Sequence, residues 1–310
     1  EPMNKQLLIS EFLTTPWALM PERLQAMTGI LTRWSAGEAA SEKTMFQINA
    51  DRVIRDTRKQ MAAATSGSSI AVLPLYGVIT QRANMVDDVS GPGCTSTQQF
   101  CSALNQLLDD SSVGQILIDI DSPGGSVYGV SELANEIIQA REQKAVIAIA
   151  NSLAASAAYW IGCSASEFYV TPGGEVGSIG VWQAHFDYSK AFEEDGVKPT
   201  LISAGKFKVE GNPYVPLDEQ AQAFMQSRVD DYYNAFVQAV SVGRGVSALD
   251  VQTGMGEGRI LGAQAALAQN MVDGIATFDE LLAKMQANVR GNTLSNQSQL
   301  KRARNALALI

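Results

Sequence analysis

The sequence predicts an α/β fold in which helices cover both faces of a parallel sheet. Short runs of apolar residues, many of them β-branched, alternate with stretches of helical periodicity. Nearly continuous apolar strands are typical of parallel sheets that are buried on both sides. With 310 residues, of which 46% are hydrophobic, the chain is long enough for one large core with extensions. The predicted strands lie at residues 69–80, 115–120 and 145–150, and further β units are predicted at 167–170, 179–182 and 199–203.

Helical patterns separate these strands. Apolar residues recur at helical spacing in four stretches, 97–108, 127–143, 188–194 and 218–242. The last stretch carries Phe224, Val229, Tyr232, Tyr233 and Phe236. We interpret its many aromatic residues as core or subunit contacts.

The two ends of the chain depart from this alternation. Residues 1–66 are predicted to form an N-terminal helical arm, with one or two amphipathic helices over residues 4–34. Charged residues and prolines interrupt that stretch before it reaches the ~20 apolar residues that span a bilayer, so we expect no membrane association. Residues 67–285 form the predicted central domain. Residues 286–310 form a predicted flexible basic tail, because residues 292–299 are too polar to repay the entropy of ordering them.

Charge and cysteine content exclude several classes of function. The formal net charge is −9. The segment from Lys284 to the end of the sequence contains five basic residues and no acidic ones, so the net charge of the remaining residues is more negative than −9. An acidic surface binds nucleic acid poorly, and we expect no nucleic-acid partner. The three cysteines are odd in number and lack metal-ligand spacing, which favours a reducing, cytoplasmic compartment. No metal, nucleotide or other cofactor is implied.

A small-residue segment after the third predicted strand suggests nucleophilic chemistry. Residues 151–161 read Asn-Ser-Leu-Ala-Ala-Ser-Ala-Ala-Tyr-Trp-Ile, and a Ser-Ala-Gly-Lys-Phe-Lys segment follows at 203–208. A strand-to-helix turn here would raise the hydroxyl of Ser156 to the end of the sheet. Because the chain has a single histidine, a serine–lysine dyad is the leading hypothesis. The alternative is a helix that packs closely through alanine and serine.

A second motif, Asp-Ser-Pro-Gly-Gly-Ser at 121–126, follows the strand at 115–120. Two glycines at such a turn allow successive backbone N–H groups to point at one anion or oxyanion. It is not a phosphate-binding Walker loop, because no Gly-Lys-Ser/Thr follows. The motif is equally compatible with an ordinary turn.

Four motifs occur in an order that resembles the signal peptide peptidase A family of serine peptidases, which has the Clp-protease/crotonase fold of repeated β-β-α units. They are Asp-Ser-Pro-Gly-Gly at 121–125, Ala-Ala-Ser-Ala-Ala-Tyr at 154–159, Gly-Ser-Ile-Gly at 177–180 and the segment 258–273. The resemblance covers about residues 70–285 and is strongest to the phage head-maturation branch. It implies Ser156 as nucleophile, Lys208 as general base and Ser178 as the serine that hydrogen-bonds the lysine. It also implies an oxyanion hole from Gly124 or Gly125 with the amide of Ala157.

Several other residues remain candidates on the sequence alone. Lys206 rivals Lys208, since residues two apart on an extended segment point the same way, and only the family spacing favours Lys208. Ser152 and Ser126 are alternative nucleophiles outside the Ala-Ser-Ala setting. His185 could complete a serine–histidine pair but is expected to be structural. Asp119 and Asp121 are expected to cap a turn rather than to act as paired carboxylates.

The resemblance implies an endopeptidase that cleaves phage head assembly proteins, such as scaffold and portal, and itself. It further implies a homo-oligomeric ring in the host cytoplasm or procapsid, and a groove that prefers small side chains. We expect the tail to be a self-cleavage substrate between about residues 284 and 300. The alternatives are a cytoplasmic peptidase that degrades signal peptides, a catalytically idle assembly scaffold, and an acyl-CoA hydratase. The hydratase is disfavoured because such enzymes use carboxylates and need no lysine.

Overall fold

The computed structural model describes residues 15–20, 70–82 and 94–288 of the chain. The strands are β1 (Trp17–Leu19), β2 (Ile70–Tyr76), β3 (Val78–Thr80), β4 (Cys94–Ser96), β5 (Gln115–Ser122), β6 (Gly124–Ser126), β7 (Ala145–Ala155), β8 (Glu167–Val170), β9 (Glu175–Gly177), β10 (Ile260–Gly262) and β11 (Gly274–Ile275). The helices are α1 (Thr97–Asp109), α2 (Val130–Ala140), α3 (Ala157–Gly162), α4 (Ser189–Glu194), α5 (Glu219–Arg244), α6 (Ala248–Thr253) and α7 (Ala263–Ala268). Residues 278–288 are also helical.

The main sheet has the strand order β10-β9-β7-β5-β2, with β8 on β7 and β11 on β8. Strands β2, β5 and β7 pair in parallel, and β2 lies at the edge of the sheet. Every residue of β5 except Asp121 is buried, which is why this strand reads as a continuous apolar run. The predicted α/β class is therefore confirmed.

A smaller sheet lies beside the end of the main one, in the order β1-β6-β3-β4. A register shift between Ile120 and Ser122 ends the regular pairing of β5 with β7, and the chain then enters β6. The glycine-rich β6 thus lies at the carboxyl end of the main sheet, where parallel α/β folds hold their ligands.

Local sequence explains where the longest helices begin and end. The Ser96 hydroxyl accepts a hydrogen bond from the Gln99 N–H at the start of α1, and the Asp218 carboxylate accepts one from the Ala221 N–H at the start of α5. Helix α5 ends at Gly245, whose φ of 64° is the left-handed conformation that favours glycine at a helix end.

The short helix α3 packs between the main sheet and helix α5. The rings of Trp160 and Phe236 stack with centroids 4.7 Å apart. The buried Tyr159 hydroxyl donates a hydrogen bond to the Met271 carbonyl at 3.0 Å. Both aromatic residues of α3 are thereby fixed, and with them the backbone that precedes the helix.

Three predictions about local structure were wrong. Residues 17–19 form strand β1 rather than part of an amphipathic helix, since their backbone pairs with β6. Residues 179–182 form no regular strand apart from a bridge at Trp182, and β9 lies just before them. Residues 199–203 form a loop, in which Ile202 is almost fully exposed.

The predicted boundaries of the terminal segments fall mostly outside the described residues. The predicted arm lies outside the described residues except for residues 15–20, and the predicted tail lies outside them beyond residue 288. Residues 284–288 are helical, and Met285 is buried, so the beginning of the region predicted for tail cleavage is not extended. None of the helices in the described ranges combines the length and the apolar character needed to cross a bilayer.

Candidate active site

Ser156 lies at the junction between strand β7 and helix α3. Its backbone has φ 55° and ψ −117°, a conformation that a residue with a side chain rarely adopts. Two backbone hydrogen bonds hold it there: the Ser156 N–H donates to the Gly177 carbonyl at 2.7 Å, and the Trp160 N–H donates to the Ser156 carbonyl at 3.0 Å. The surrounding structure therefore imposes this turn, as the sequence analysis predicts for a nucleophile raised at the end of a strand.

The side chain of Ser156 is almost completely buried, with 1% relative exposure. Its hydroxyl donates a hydrogen bond to the Gly180 carbonyl at 3.4 Å. A carbonyl oxygen cannot remove the hydroxyl proton. The serine in this structure is accordingly positioned but not activated.

A side chain at Gly124 or Gly125 would clash with its neighbours, and Gly124 lies beside Ser156. A Cβ on Gly124 would lie 3.0 Å from the Cβ of Ser156 and 2.9 Å from the Ala155 carbonyl oxygen. A Cβ on Gly125 would lie 1.9 Å from the Ile79 carbonyl oxygen. The structure thus brings the predicted oxyanion strand next to Ser156, and glycine is required for that approach.

The two glycine N–H groups differ in their surroundings. The Gly124 N–H donates to the Ser122 hydroxyl at 3.2 Å, whereas Gly125 faces Ala18 across the antiparallel ladder. Ala157, the third predicted member of the oxyanion hole, directly follows Ser156 and is fully buried at the start of α3.

Ser178 is also near Ser156 through the backbone. It follows Gly177, whose carbonyl accepts the Ser156 N–H bond, and its own N–H donates to the Arg259 carbonyl at 2.8 Å. Like Ser156, it has a φ of 55°. Two strained serines therefore lie on adjacent strands, β7 and the end of β9.

The two candidate lysines lie in the exposed loop at residues 201–208. The Lys208 N–H donates to the Gly205 carbonyl at 3.2 Å, and the Lys206 Nζ lies 4.6 Å from the centroid of the Phe207 ring. Within the described ranges, no hydrogen bond joins either lysine to Ser156. The structure does not bring the predicted dyad together in the single chain, and it does not discriminate between Lys206 and Lys208.

The rival residues have other surroundings. Ser152 is exposed, and the Ser126 hydroxyl accepts the Tyr128 N–H at 3.3 Å. A ring nitrogen of His185 lies 3.2 Å from the Asn212 carbonyl oxygen, and the Tyr76 hydroxyl donates to the buried carboxylate of Asp119.

Strand β1 and its pairing with Trp182 were not predicted from the sequence. Strand β1 pairs with β6 on one side, with Leu19 opposite Gly124 and Trp17 opposite Ser126. On the other side it forms an antiparallel bridge to Trp182. The signal was present as a four-residue apolar run, Trp-Ala-Leu-Met, bounded by Pro16 and Pro21, because prolines at both ends favour an extended segment over a helix.

Residues 138–291, about half of the chain, match the model of peptidase family S49. The chain belongs to this family. The matched residues of this S49 member include Ser156, Ser178 and Lys208.

The S49 chain is similar to two phage proteins. It is 34% identical over 238 residues to the capsid assembly protease C of Escherichia phage lambda, which covers 75% of this chain and 54% of that protein. It is 30% identical over 303 residues to the head-tail preconnector protein GP5 of Enterobacteria phage P21, which covers 94% of this chain and 60% of that protein. The chain therefore spans little more than half the length of these two relatives.

More distant similarities extend beyond phages. The chain is 26% identical to the chloroplastic serine protease SPPA of Arabidopsis thaliana over 81% of its length and 37% of that protein. Among solved structures, a mutant of ClpP1 from Listeria monocytogenes matches with a TM-score of 0.42 and 15% identity, covering 68% of this chain and 94% of that chain.

Proposed function

We propose that this chain is a serine endopeptidase in which Ser156 is the nucleophile and Lys208 the general base. The observation that carries the proposal is the buried, strained Ser156 held against the glycine strand β6 at the end of the sheet. The turn holds the buried side chain beside β6, along which we expect a substrate peptide to run. Strain of this kind is retained where function requires it.

The reaction would proceed through an acyl-enzyme. The Ser156 Oγ attacks the substrate carbonyl carbon while its proton passes to the neutral Nζ of Lys208, and the oxyanion accepts hydrogen bonds from the N–H groups of Gly125 and Ala157. The C–N bond then breaks as the lysine returns the proton to the leaving amine. Water attacks the ester by the same route, releases the acid and restores both groups.

Single substitutions test the nucleophile and the base. Ser156→Ala is expected to lower kcat/KM by at least ~10³-fold, since a nucleophile is removed, whereas Ser152→Ala should retain activity. Lys208→Ala should be as inactive as Ser156→Ala, with Lys206→Ala as the matched control. Activity that survives Ser156→Ala but not Ser152→Ala would reassign the nucleophile.

In this mechanism a rearrangement of the loop or the arrival of a neighbouring copy must bring Lys208 to Ser156, because Lys208 lies in an exposed loop and Ser156 is buried. The same region carries exposed apolar side chains, of which Ile202 is 96% exposed and Phe224, near the start of α5, is 56% exposed. We interpret these exposed apolar side chains as part of a contact surface between copies of the chain. We therefore propose that copies of the chain assemble into a closed ring that covers this loop and completes the site.

Mixing two inactive variants tests whether the base comes from a neighbouring copy. When Ser156→Ala and Lys208→Ala are unfolded and refolded together, activity should return if adjacent copies supply the two groups. If the dyad forms within one chain, the mixture stays inactive and the ring serves only to close the loop. A single-chain mass in light scattering at micromolar concentration would contradict assembly itself.

The proposed substrates are phage head assembly proteins, scaffold and portal among them, cleaved in the host cytoplasm or the procapsid. The support is the similarity to the lambda capsid assembly protease at 34% identity, higher than that to the chloroplastic SPPA protease. The second candidate function is that of a cytoplasmic peptidase that degrades signal peptides. The similarity to the chloroplastic SPPA protease favours this function. Incubation with a purified scaffold protein and with a synthetic signal peptide separates the two.

The remaining alternative is an assembly scaffold without activity. A fluorophosphonate probe distinguishes it, because the probe labels an activated serine. Labelling of the wild type but not of Ser156→Ala supports the peptidase, and absence of labelling in both supports the scaffold.

A further inference from the structure

Strand β1 lies in the candidate active site and is hydrogen-bonded along both of its edges. One edge pairs antiparallel with the glycine strand β6. On the other edge, the Trp17 N–H donates to the Trp182 carbonyl at 2.9 Å, and the Trp182 N–H donates to the Trp17 carbonyl at 3.1 Å. The indole N–H of Trp182 also donates to the Leu19 carbonyl at 2.9 Å. An extended peptide bonded on both edges is in the conformation of a docked substrate strand.

The register of this strand places one carbonyl at the serine. The Met20 N–H donates to the Pro123 carbonyl at 3.3 Å, and the Val127 N–H donates to the Pro16 carbonyl at 3.5 Å. These bonds make Met20 with Pro123, and Pro16 with Val127, hydrogen-bonded pairs of the antiparallel ladder. Hydrogen-bonded and non-hydrogen-bonded pairs alternate along such a ladder, so Ala18 with Gly125 is also a hydrogen-bonded pair. The Gly125 N–H, proposed above for the oxyanion hole, consequently faces the Ala18 carbonyl.

The same carbonyl approaches Ser156. The point that a Cβ on Gly124 would occupy lies 2.3 Å from the Ala18 carbonyl oxygen and 3.0 Å from the Cβ of Ser156. The carbonyl and the serine side chain therefore adjoin the same small space. No other segment in the described part of the chain pairs with this edge of β6.

The docked segment is fully desolvated. Trp17, Ala18 and Leu19 are 3%, 0% and 1% exposed. The residue at the serine is the smallest of the three, in keeping with a site lined by alanine. Burial of two large apolar side chains on either side stabilises the docking.

We propose that residues 16–20 are a self-substrate docked in the groove, and that Ser156 cleaves the Ala18–Leu19 peptide bond. This inference rests on the proposed peptidase function. The Ser156 Oγ bonds to the Ala18 carbonyl carbon, the Ala18–Leu19 C–N bond breaks, and the Leu19 nitrogen takes the proton that the serine lost to the lysine. One water then hydrolyses the ester and leaves Ala18 with a free carboxylate. Until this cut, β1 excludes other peptides from β6.

Intact-mass measurement and N-terminal sequencing of the full chain test the cut. The wild type is expected to lose the residues up to Ala18 and to gain a new terminus at Leu19, while Ser156→Ala remains intact. Ala18→Tyr should slow the cut at least ~10-fold because a fully buried methyl position cannot hold a phenol ring, and the conservative control Ala18→Gly should still be cut. A wild type that cleaves an added peptide but retains its own Ala18–Leu19 bond overturns the inference and leaves the proposed function standing. A chain that cleaves neither overturns both.

Hydrogen exchange on intact Ser156→Ala tests the docking without catalysis. The backbone N–H groups of Trp17 and Met20 are expected to be protected, since both donate to carbonyls of the groove. Ala18→Tyr in the same background should remove this protection while the central strands β5 and β7 keep theirs. Rapid exchange of residues 17–20 in Ser156→Ala would show that the segment does not occupy the groove.

Discussion

Phe236 supports the backbone at the proposed nucleophile Ser156 from a distance, and its removal gives a quantitative test of the fold around this residue. The side chain is fully buried and stacks on Trp160, whose helix α3 begins directly after Ser156. Truncation of a buried phenylalanine to alanine costs about 3–5 kcal/mol. A stacked aromatic pair contributes about 0.5–1.5 kcal/mol beyond the area it buries. We expect Phe236→Ala to lower the free energy of unfolding by about 3–5 kcal/mol, towards the upper end.

Urea unfolding followed by far-UV circular dichroism measures this loss. Phe224→Ala is the matched control, because it removes the same ring from an exposed position on the same helix. Its effect on the single chain should be within about 0.5 kcal/mol. If Phe224 lies between copies, its removal has a further effect that depends on protein concentration, so both variants are measured at two concentrations. Equal losses for the two variants, or a loss below about 1 kcal/mol for Phe236→Ala, would refute the proposed support of α3.

Two further predictions concern titratable groups near the end of α5. Burial acts to raise the pKa of Asp273, but hydrogen bonds from Arg244 and from the Phe168 N–H outweigh it and lower that pKa. The stability that this carboxylate contributes is thus present above its unfolded pKa and is lost as the pH falls through the lower folded value. Between about pH 5 and pH 3, Asp273→Asn should lose less stability than the wild type on acidification, and equal slopes would contradict the assignment. Burial raises the pKa of the Cys163 thiol to about 12. At pH 8, a thiol reagent should therefore label the partly buried Cys94 and Cys101 first, and Cys163 only after unfolding. Peptide mass spectrometry measures the labelling, and fast labelling of Cys163 in the folded chain would disprove this prediction.

Much of the fold follows from the sequence because the determining patterns are local. The largely apolar runs at 115–120 and 145–150 lie within β5 and β7. The helical periodicity at 97–108 lies within α1, and that at 218–242 begins at Asp218, which caps α5. Side-chain burial on both faces favours apolar residues along most of a central strand, and a helix needs one apolar face. The two glycines at 124–125 and the serine between small residues were likewise visible, since close backbone approach excludes larger side chains.

What the sequence could not determine depends on contacts between distant segments. Residues 17–19 form a strand because β6 and Trp182 supply partners for both of its edges, and those partners lie more than a hundred positions along the chain. A four-residue apolar run has no such partner in its own neighbourhood, so local periodicity alone assigned it to a helix. Residues 199–203 have the composition of a strand but find no sheet edge, and they remain an exposed loop. The sequence by itself determined which residues are candidates for the proposed peptidase chemistry. The tertiary structure decided what lies against Ser156, because only folding brings the edge of β6 and an N-terminal strand to the same end of the sheet.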